Sequence, residues 1–463
     1  MLPGMRSNSF LVKIFIVGVV SLLLLVPLLL LQGVVSERVQ RREETESEIF
    51  RSWGGRQTLA GPVLTVPYVS RTLDEKGRRV ETISAARFLP DTLVIDGTLK
   101  PETRSRGMYQ VTVYGAQLSL RGAFSPPSLS GIRVSPSDIL WDQAYLSLEL
   151  ADLRFLQEKI LLTWADRTAA MRSGKGSLGM FPGEIRANVP VSAARPAQRS
   201  AARPIPFSFD LSIRGGGAIN FLPLGDETRV RVQSSWPGPS FTGSFLPARR
   251  VLGPDGFDAE WRVVSTARAY PQRWADGEIE PAVLLDTSFG VNLMAPVETY
   301  LEVTRALKYG LLFLVLPFCT LFLFEVLARK RIHPVQYLLI GLADCVFYLL
   351  LLSLAEHVGF GPAYLAAAAS CTALVTLYAV AVVKSRAGLA MLPVLAVCYG
   401  FLALVLSSED NALLMGALGL FLLLGAAMFL TRRVDWYRKE RAGIPPSPGP
   451  AAEPGVRSMK EDR

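Results

Sequence analysis

Six long apolar runs, one set apart from the other five by roughly 270 residues of soluble-looking chain, limit what this sequence can fold into. The first is FLVKIFIVGVVSLLLLVPLLLL, Phe10 to Leu31. At about 1.5 Å per residue, its helix crosses a hydrocarbon layer of about 30 Å. Lys13 sits near its start, where its stem reaches the interface, and Pro27 is placed to kink its last turns. No small-residue cleavage motif follows, so an uncleaved anchor is expected, with a cleaved signal peptide as the competing interpretation. Five further spans are expected at 307–327, 335–355, 361–383, 389–406 and 412–430.

The links between spans orient them. ARKRIH, KSRAG and TRRVDWYRKERAG are basic, whereas AEHVGFGP and SSEDN are not, and the two kinds alternate. The positive-inside rule then places both termini and the basic links in the cytoplasm, and residues 32–305 outside. Expected boundaries are a cytoplasmic tail at 1–9, a membrane helix at 10–31, an outer domain at 32–305, spans two to six at 306–430, and a basic then Pro-rich cytoplasmic tail at 431–463. Much of the net charge of +9 lies in tails and links beside apolar runs. That pattern points to membrane orientation and lipid contact, not to nucleic acid.

The fold class expected is therefore an anchor helix, a large mostly-β extracytoplasmic domain, and a five-helix transmembrane bundle. SERVQRREETESEIFRSW reads as a charged helix leading into the outer domain. MYQVTVYGAQLSLRGAF reads as two strands joined near Gly115; TRVRVQSSW and AEWRVVSTARAY also alternate with period two. A helix is expected in the second half of QAYLSLELADLRFLQEKILLTW. ARPAQRSAARPIP, at 194–206, is a Pro/Arg/Ala loop that would divide two β subdomains. FLPDTLVIDGT, from Phe88, and NFLPLGDETRV, from Asn220, echo each other, through duplication or shared hairpin chemistry. In SSWPGPSFTGSFLP, Trp236, Phe241 and Phe245 form either a recognition surface or an aromatic turn closing a sandwich, and the turn is the simpler account.

Little in the sequence points to catalysis. No GxSxG, P-loop or HExxH pattern occurs. The outer domain has no histidine, which removes a Ser-His-Asp arrangement and any histidine metal site there. All four cysteines lie in apolar runs, so the outer domain has no disulfide of its own. Neither a metal nor a cofactor is expected, and the chain is expected not to be an enzyme.

Asp344 is the costly residue of the membrane runs, because a carboxylate in hydrocarbon must face protein, water or a partner. Tyr337, Gly341, Asp344 and Tyr348 follow helical spacing and are expected on one packed face. Asp344 then serves as a structural polar contact or as part of a proton or substrate path. His333 and His357 are too far apart on one helix to share a metal ion. They mark opposite membrane ends, as do Glu356, Glu409 and Asp410.

LAGPVLTVPY, FGVNLMAPVETYLEVTRALKYG, the Arg331–Phe360 stretch, SSEDNALLMG and TRRVDWY together resemble the CreD family of bacterial inner-membrane proteins. The resemblance implies one large periplasmic domain, a link to cell-envelope integrity, colicin tolerance and responses to β-lactams, and in some bacteria control by the CreBC two-component system. It implies no activity, cofactor or catalytic residue. The function expected is support of the envelope by a periplasmic domain that binds or braces envelope components, with periplasmic or inner-membrane envelope proteins as partners. Transport of an envelope-active compound through Asp344, or membrane signalling of envelope stress, is the alternative. Oligomeric state is not legible.

Overall fold

The computed structural model describes residues 9–73, 79–128, 134–191, 203–293, 298–310, 332–383, 386–407 and 412–432, with a few positions between 317 and 325. It forms two compact units: Val39–Pro296, and Met1–Arg38 together with Val297–Arg463.

The first unit is built on strands β1 (Gln57–Leu73), β2 (Arg79–Phe88), β3 (Thr92–Arg106), β4 (Tyr109–Phe124), β5 (Tyr145–Leu150), β6 (Leu161–Trp164), β7 (Arg167–Ala170), β8 (Arg172–Lys175) and β9 (Gly183–Asn188). It continues with β10 (Ile205–Gly216), β11 (Ala218–Phe221), β12 (Glu227–Ser234), β13 (Ser240–Gly243), β14 (Arg249–Gly253), β15 (Gly256–Val264), β16 (Arg273–Ala275) and β17 (Phe289–Asn292). A nine-stranded sheet runs β13-β17-β11-β1-β5-β9-β8, with β2 pairing to β1 and β16 to β2. An eight-stranded sheet runs β14-β15-β12-β3-β4-β10-β6-β7.

Period-two patterning explains how the sheets pack. In β12, Thr228, Val230 and Val232 are fully buried while Arg229, Arg231 and Gln233 are exposed. Leu59, Leu146, Leu148 and Phe289 from one sheet join Leu93, Leu120, Val230 and Trp261 from the other in one core. Each such side chain contributes about 1.5–3 kcal/mol by leaving water. That core draws on residues from both sides of 194–206. The stretch 194–206 itself is described only from 203 onward. On the eight-stranded sheet, cross-strand ion pairs link Arg121 to Asp96 (2.8 Å), Arg231 to Asp258 (2.5 Å) and Arg262 to Glu227 (3.0 Å).

Two local expectations are corrected. Gly115 is not a turn: β4 runs unbroken from Tyr109 to Phe124. The hairpin to β3 closes at Gly107, whose φ of 61° suits a tight turn. The helix expected before Trp164 is absent, replaced by β5, a single 3-10 turn at Leu153–Phe155, and β6. Leu146, Leu148 and Leu150 point into the core with period two, as do Leu162 and Trp164, and that burial overrides helix propensity.

The two FLP segments do the same job. Phe88-Leu89-Pro90 carries the chain from β2 in one sheet to β3 in the other; Phe221-Leu222-Pro223 carries it from β11 to β12. The strands they launch lie side by side in parallel, with Thr92 opposite Glu227. The Gly215–Gly217 triplet makes the return crossing from β10 to β11. A Cβ on Gly216 would strike the Phe50 ring, and Gly217 takes a φ of 71°. In AGPVLTVPY the Gly61–Pro62 bond is cis, beside a register shift between Ala60 and Val63.

The second unit is helical. α1 (Ser9–Leu23) and α2 (Leu25–Trp53) are separated by a break at Leu24. Pro27 explains it: the ring lacks an N–H and crowds the carbonyl four residues earlier, that of Leu23. From Val39 on, helix α2 belongs to the β unit; it carries on through the charged stretch as expected and ends at Trp53, whose ring is overlain by the guanidinium groups of Arg104 and Arg214. α3 (Pro281–Leu285) is a short helix of the β unit. α4 (Glu298–Lys308) is followed by α5 (Pro334–Val358), α6 (Phe360–Val383), α7 (Met391–Ser407) and α8 (Ala412–Thr431).

Among the described residues, the N-terminal helix, α5, α6 and the segment Gly388–Ser407 are long and apolar enough to cross a membrane. α8 adds a fourth long apolar C-terminal helix. The span expected at 307–327 falls largely outside the described residues, so four of the five expected C-terminal helices are seen.

Candidate functional site

The most unusual chemistry in the β unit is a pair of buried glutamates. Glu149 on β5 and Glu184 on β9 are directly opposed in antiparallel register, and both have zero solvent exposure. They share a sheet face with Tyr145, Ser147 and Arg186. Alternation would leave that face in water, but the segment between β8 and β9 covers it. Glu149 accepts backbone N–H bonds from Leu178 (2.6 Å), Met180 (3.2 Å) and Phe181 (3.2 Å). Glu184 accepts from the Ser177 N–H at 2.6 Å through Oε2, while its Oε1 is buried with no hydrogen-bond partner.

The positive groups nearby are engaged elsewhere. Arg87 on β2 ion-pairs with Asp276 (2.5 Å) and donates to the Ser177 carbonyl. Arg186 stacks over the Tyr145 ring, 4.9 Å from its centroid. Burial pushes both glutamates above the usual carboxylate range, and the neighbouring charge of Glu184 raises Glu149 further. The backbone N–H bonds oppose that shift without cancelling it.

The second candidate lies in the helical unit. Tyr337, Gly341, Asp344 and Tyr348 share a buried face of α5, as their spacing predicts. A Cβ on Gly341 would collide with Leu24, so this glycine sets how closely the helices approach. Asp344 borders a cavity of about 10 Å³ lined by Phe347, Tyr348, Leu395, Cys398 and Tyr399. That volume is near the threshold for one water molecule. Tyr399 hydrogen-bonds the Asp344 carboxyl. Asp344 Oδ2 and the Tyr348 hydroxyl have no hydrogen-bond partner among the described residues. Tyr337 donates instead to Glu325 (3.4 Å) and packs edge-on against Phe318. On α6, Thr376 is buried with its hydroxyl unpartnered among the described residues.

The other predicted residues separate by role. Phe241 meets Trp261 and Phe257 edge-on, and Phe245 meets Phe289 edge-on. The Trp261 indole donates to the Phe245 carbonyl (3.1 Å), and Trp236 donates to Gly238 within its own turn (3.1 Å). The aromatic block thus wraps a fully buried Trp261. His333 caps α5: its ring accepts from the Val335 N–H, and its own N–H donates to Gln336. Pro334 occupies the first turn, where its missing N–H costs nothing. His357 Nδ1 lies 2.9 Å from the Ser353 carbonyl at the other end. Glu356 is bound by Tyr300 (3.1 Å) and approached by Arg38 (3.7 Å). Glu409 and Asp410 lie outside the described residues.

Glu149 and Glu184 escape sequence reading because only a long-range covering segment buries them. The Gly/Pro density of GKGSLGMFPGE was the available signal.

Long apolar helices and a β-rich unit held between the first and the later of them define an integral membrane protein with a large two-sheet insertion. The chain belongs to the CreD inner membrane protein family, whose model, described as inner membrane protein CreD, matches residues 9–437. It is 32% identical over 429 residues to the inner membrane protein CreD of Escherichia coli (strain K12), covering 90% of this chain and 91% of that relative.

Proposed function

We propose that this inner-membrane protein supports cell-envelope integrity without catalysing a reaction. Its β unit faces the periplasm and binds or braces envelope components, proteins among them, while its helices hold it in the lipid with both termini cytoplasmic. The observation that carries this reading is the large continuous core of the β unit, drawn from both sheets. A body so extensively packed suits a rigid contact surface. The structure also redirects the test. Trp236, Phe241 and Phe245 are half-buried against the core, whereas Leu246 (70% exposed) and Ile83 (68% exposed) present apolar side chains to solvent. Photo-crosslinking from Leu246 and Ile83 in native cells is expected to capture the same envelope partners reproducibly. No adduct from any exposed position of the β unit would overturn the reading.

A second reading is transport of an envelope-active compound, or of protons, through Asp344. Its support is the unpartnered Oδ2 beside a small cavity. Flux in proteoliposomes that is lost in Asp344→Asn at normal protein levels would favour it; a pH-independent phenotype of that variant would argue against proton transfer.

A further inference from the structure

The segment 176–182, between β8 and β9, is fastened to the sheet by an unusual set of bonds. Four of its backbone N–H groups, from Ser177, Leu178, Met180 and Phe181, end on just two carboxyl groups. The packing is close: a Cβ on Gly176 would meet the Phe181 carbonyl and come within 3.2 Å of Glu149 Oε1. Ser177 adds two further ties, to Ser147 (3.2 Å) and to Arg87.

Two ionised carboxylates this close and this dry repel each other, and desolvation penalises both. A cation would relieve this, but among the described residues neither glutamate makes an ion pair. The charged groups facing them are Arg87 from β2 and Arg186 from β9, engaged with Asp276 and with the Tyr145 ring respectively. Tyr145 from β5 completes the titratable set; β8 presents Arg172, exposed and opposite Arg186, and Gly174, whose Cβ would touch Glu184 Oε1 at 2.8 Å. Both arginines still favour the charged form of Glu184 through space, but burial outweighs them, and the further relief is a proton. It belongs to the pair as a unit rather than to either residue.

We propose that the 176–182 segment is a proton-held lid: the Glu149–Glu184 pair keeps one proton while the lid is closed, and losing that proton to water loosens it, uncovering the polar sheet face beneath. The sign follows from the burial of the pair. Both groups bind a proton more tightly in the closed state than in water, so the closed lid is favoured at low pH and loses stability as pH rises through their raised values.

Hydrogen exchange of the intact protein in nanodiscs tests this, read on peptides covering 176–182 from near the free glutamate value, about pH 4.5, to about pH 8.5 and corrected for the intrinsic pH dependence of exchange; lid opening is expected to rise several-fold. Protection of β12 serves as the reference for global unfolding and is expected to stay constant. In Glu184→Gln, and separately in Glu149→Gln, the extra pH dependence of the lid is expected to shrink, and in the double variant to vanish. Corrected lid protection that does not change with pH in the wild-type protein would overturn the proposal. So would an undiminished slope in both glutamine variants.

Discussion

The two units bury carboxyl groups in opposite ways. In the β unit, Glu149 and Glu184 collect four N–H donors from one covering segment. In the helical unit, Asp344 draws on the Tyr399 hydroxyl and leaves one oxygen unpartnered among the described residues. The difference comes from the backbone. A loop has N–H groups to spare, because no ladder uses them. A helix interior has none, since every N–H is committed four residues back, so an acid there must rely on side chains or a water. Backbone-tied acids therefore fix the position of a chain segment, whereas a side-chain-tied acid ties helix to helix.

That contrast can be broken by substitution. The largest effect is expected from Glu149→Ala, which strands one buried and two part-buried N–H groups; at up to about 1–3 kcal/mol each, the β unit should lose several kcal/mol in chemical denaturation. Asp344→Ala removes a single hydroxyl contact and is expected to cost roughly 1–3 kcal/mol, read as thermal stability in detergent. Glu184→Gln keeps the shape and is expected to change stability least at low pH. It should flatten the wild-type loss of β-unit stability as pH rises, a loss that follows from the raised carboxyl values. Arg231→Ala, which breaks an exposed cross-strand pair, is expected to cost under about 1 kcal/mol. If Arg231→Ala proved as harmful as Glu149→Ala, burial would not be what separates the two kinds of charge.

Much of this architecture is legible in the sequence. Apolar runs long enough to cross the membrane announce α5 to α8, and alternation announces β12 and β15. The Tyr337–Tyr348 stripe is readable because helical spacing alone puts its members on one buried face. Gly115 misleads because a glycine that lies open in mid-strand looks the same in sequence as one in a turn. Glu149 is hidden for a deeper reason. Its own strand, YLSLEL, assigns it to the outer face, and only a segment some thirty residues on makes that face an interior. The aromatic block could be read either way until Trp261 was seen beneath it.

In the function proposed above, the surface of the β unit does the work and the buried acid of the helices holds structure. The most direct test is complementation of a strain lacking this protein, scored by leakage of periplasmic enzymes. Leu246→Asp with Ile83→Asp is compared with Asp344→Asn, all at matched membrane levels. The surface pair is expected to lose complementation while Asp344→Asn retains it. Full complementation by the surface pair, together with loss in Asp344→Asn, would contradict it.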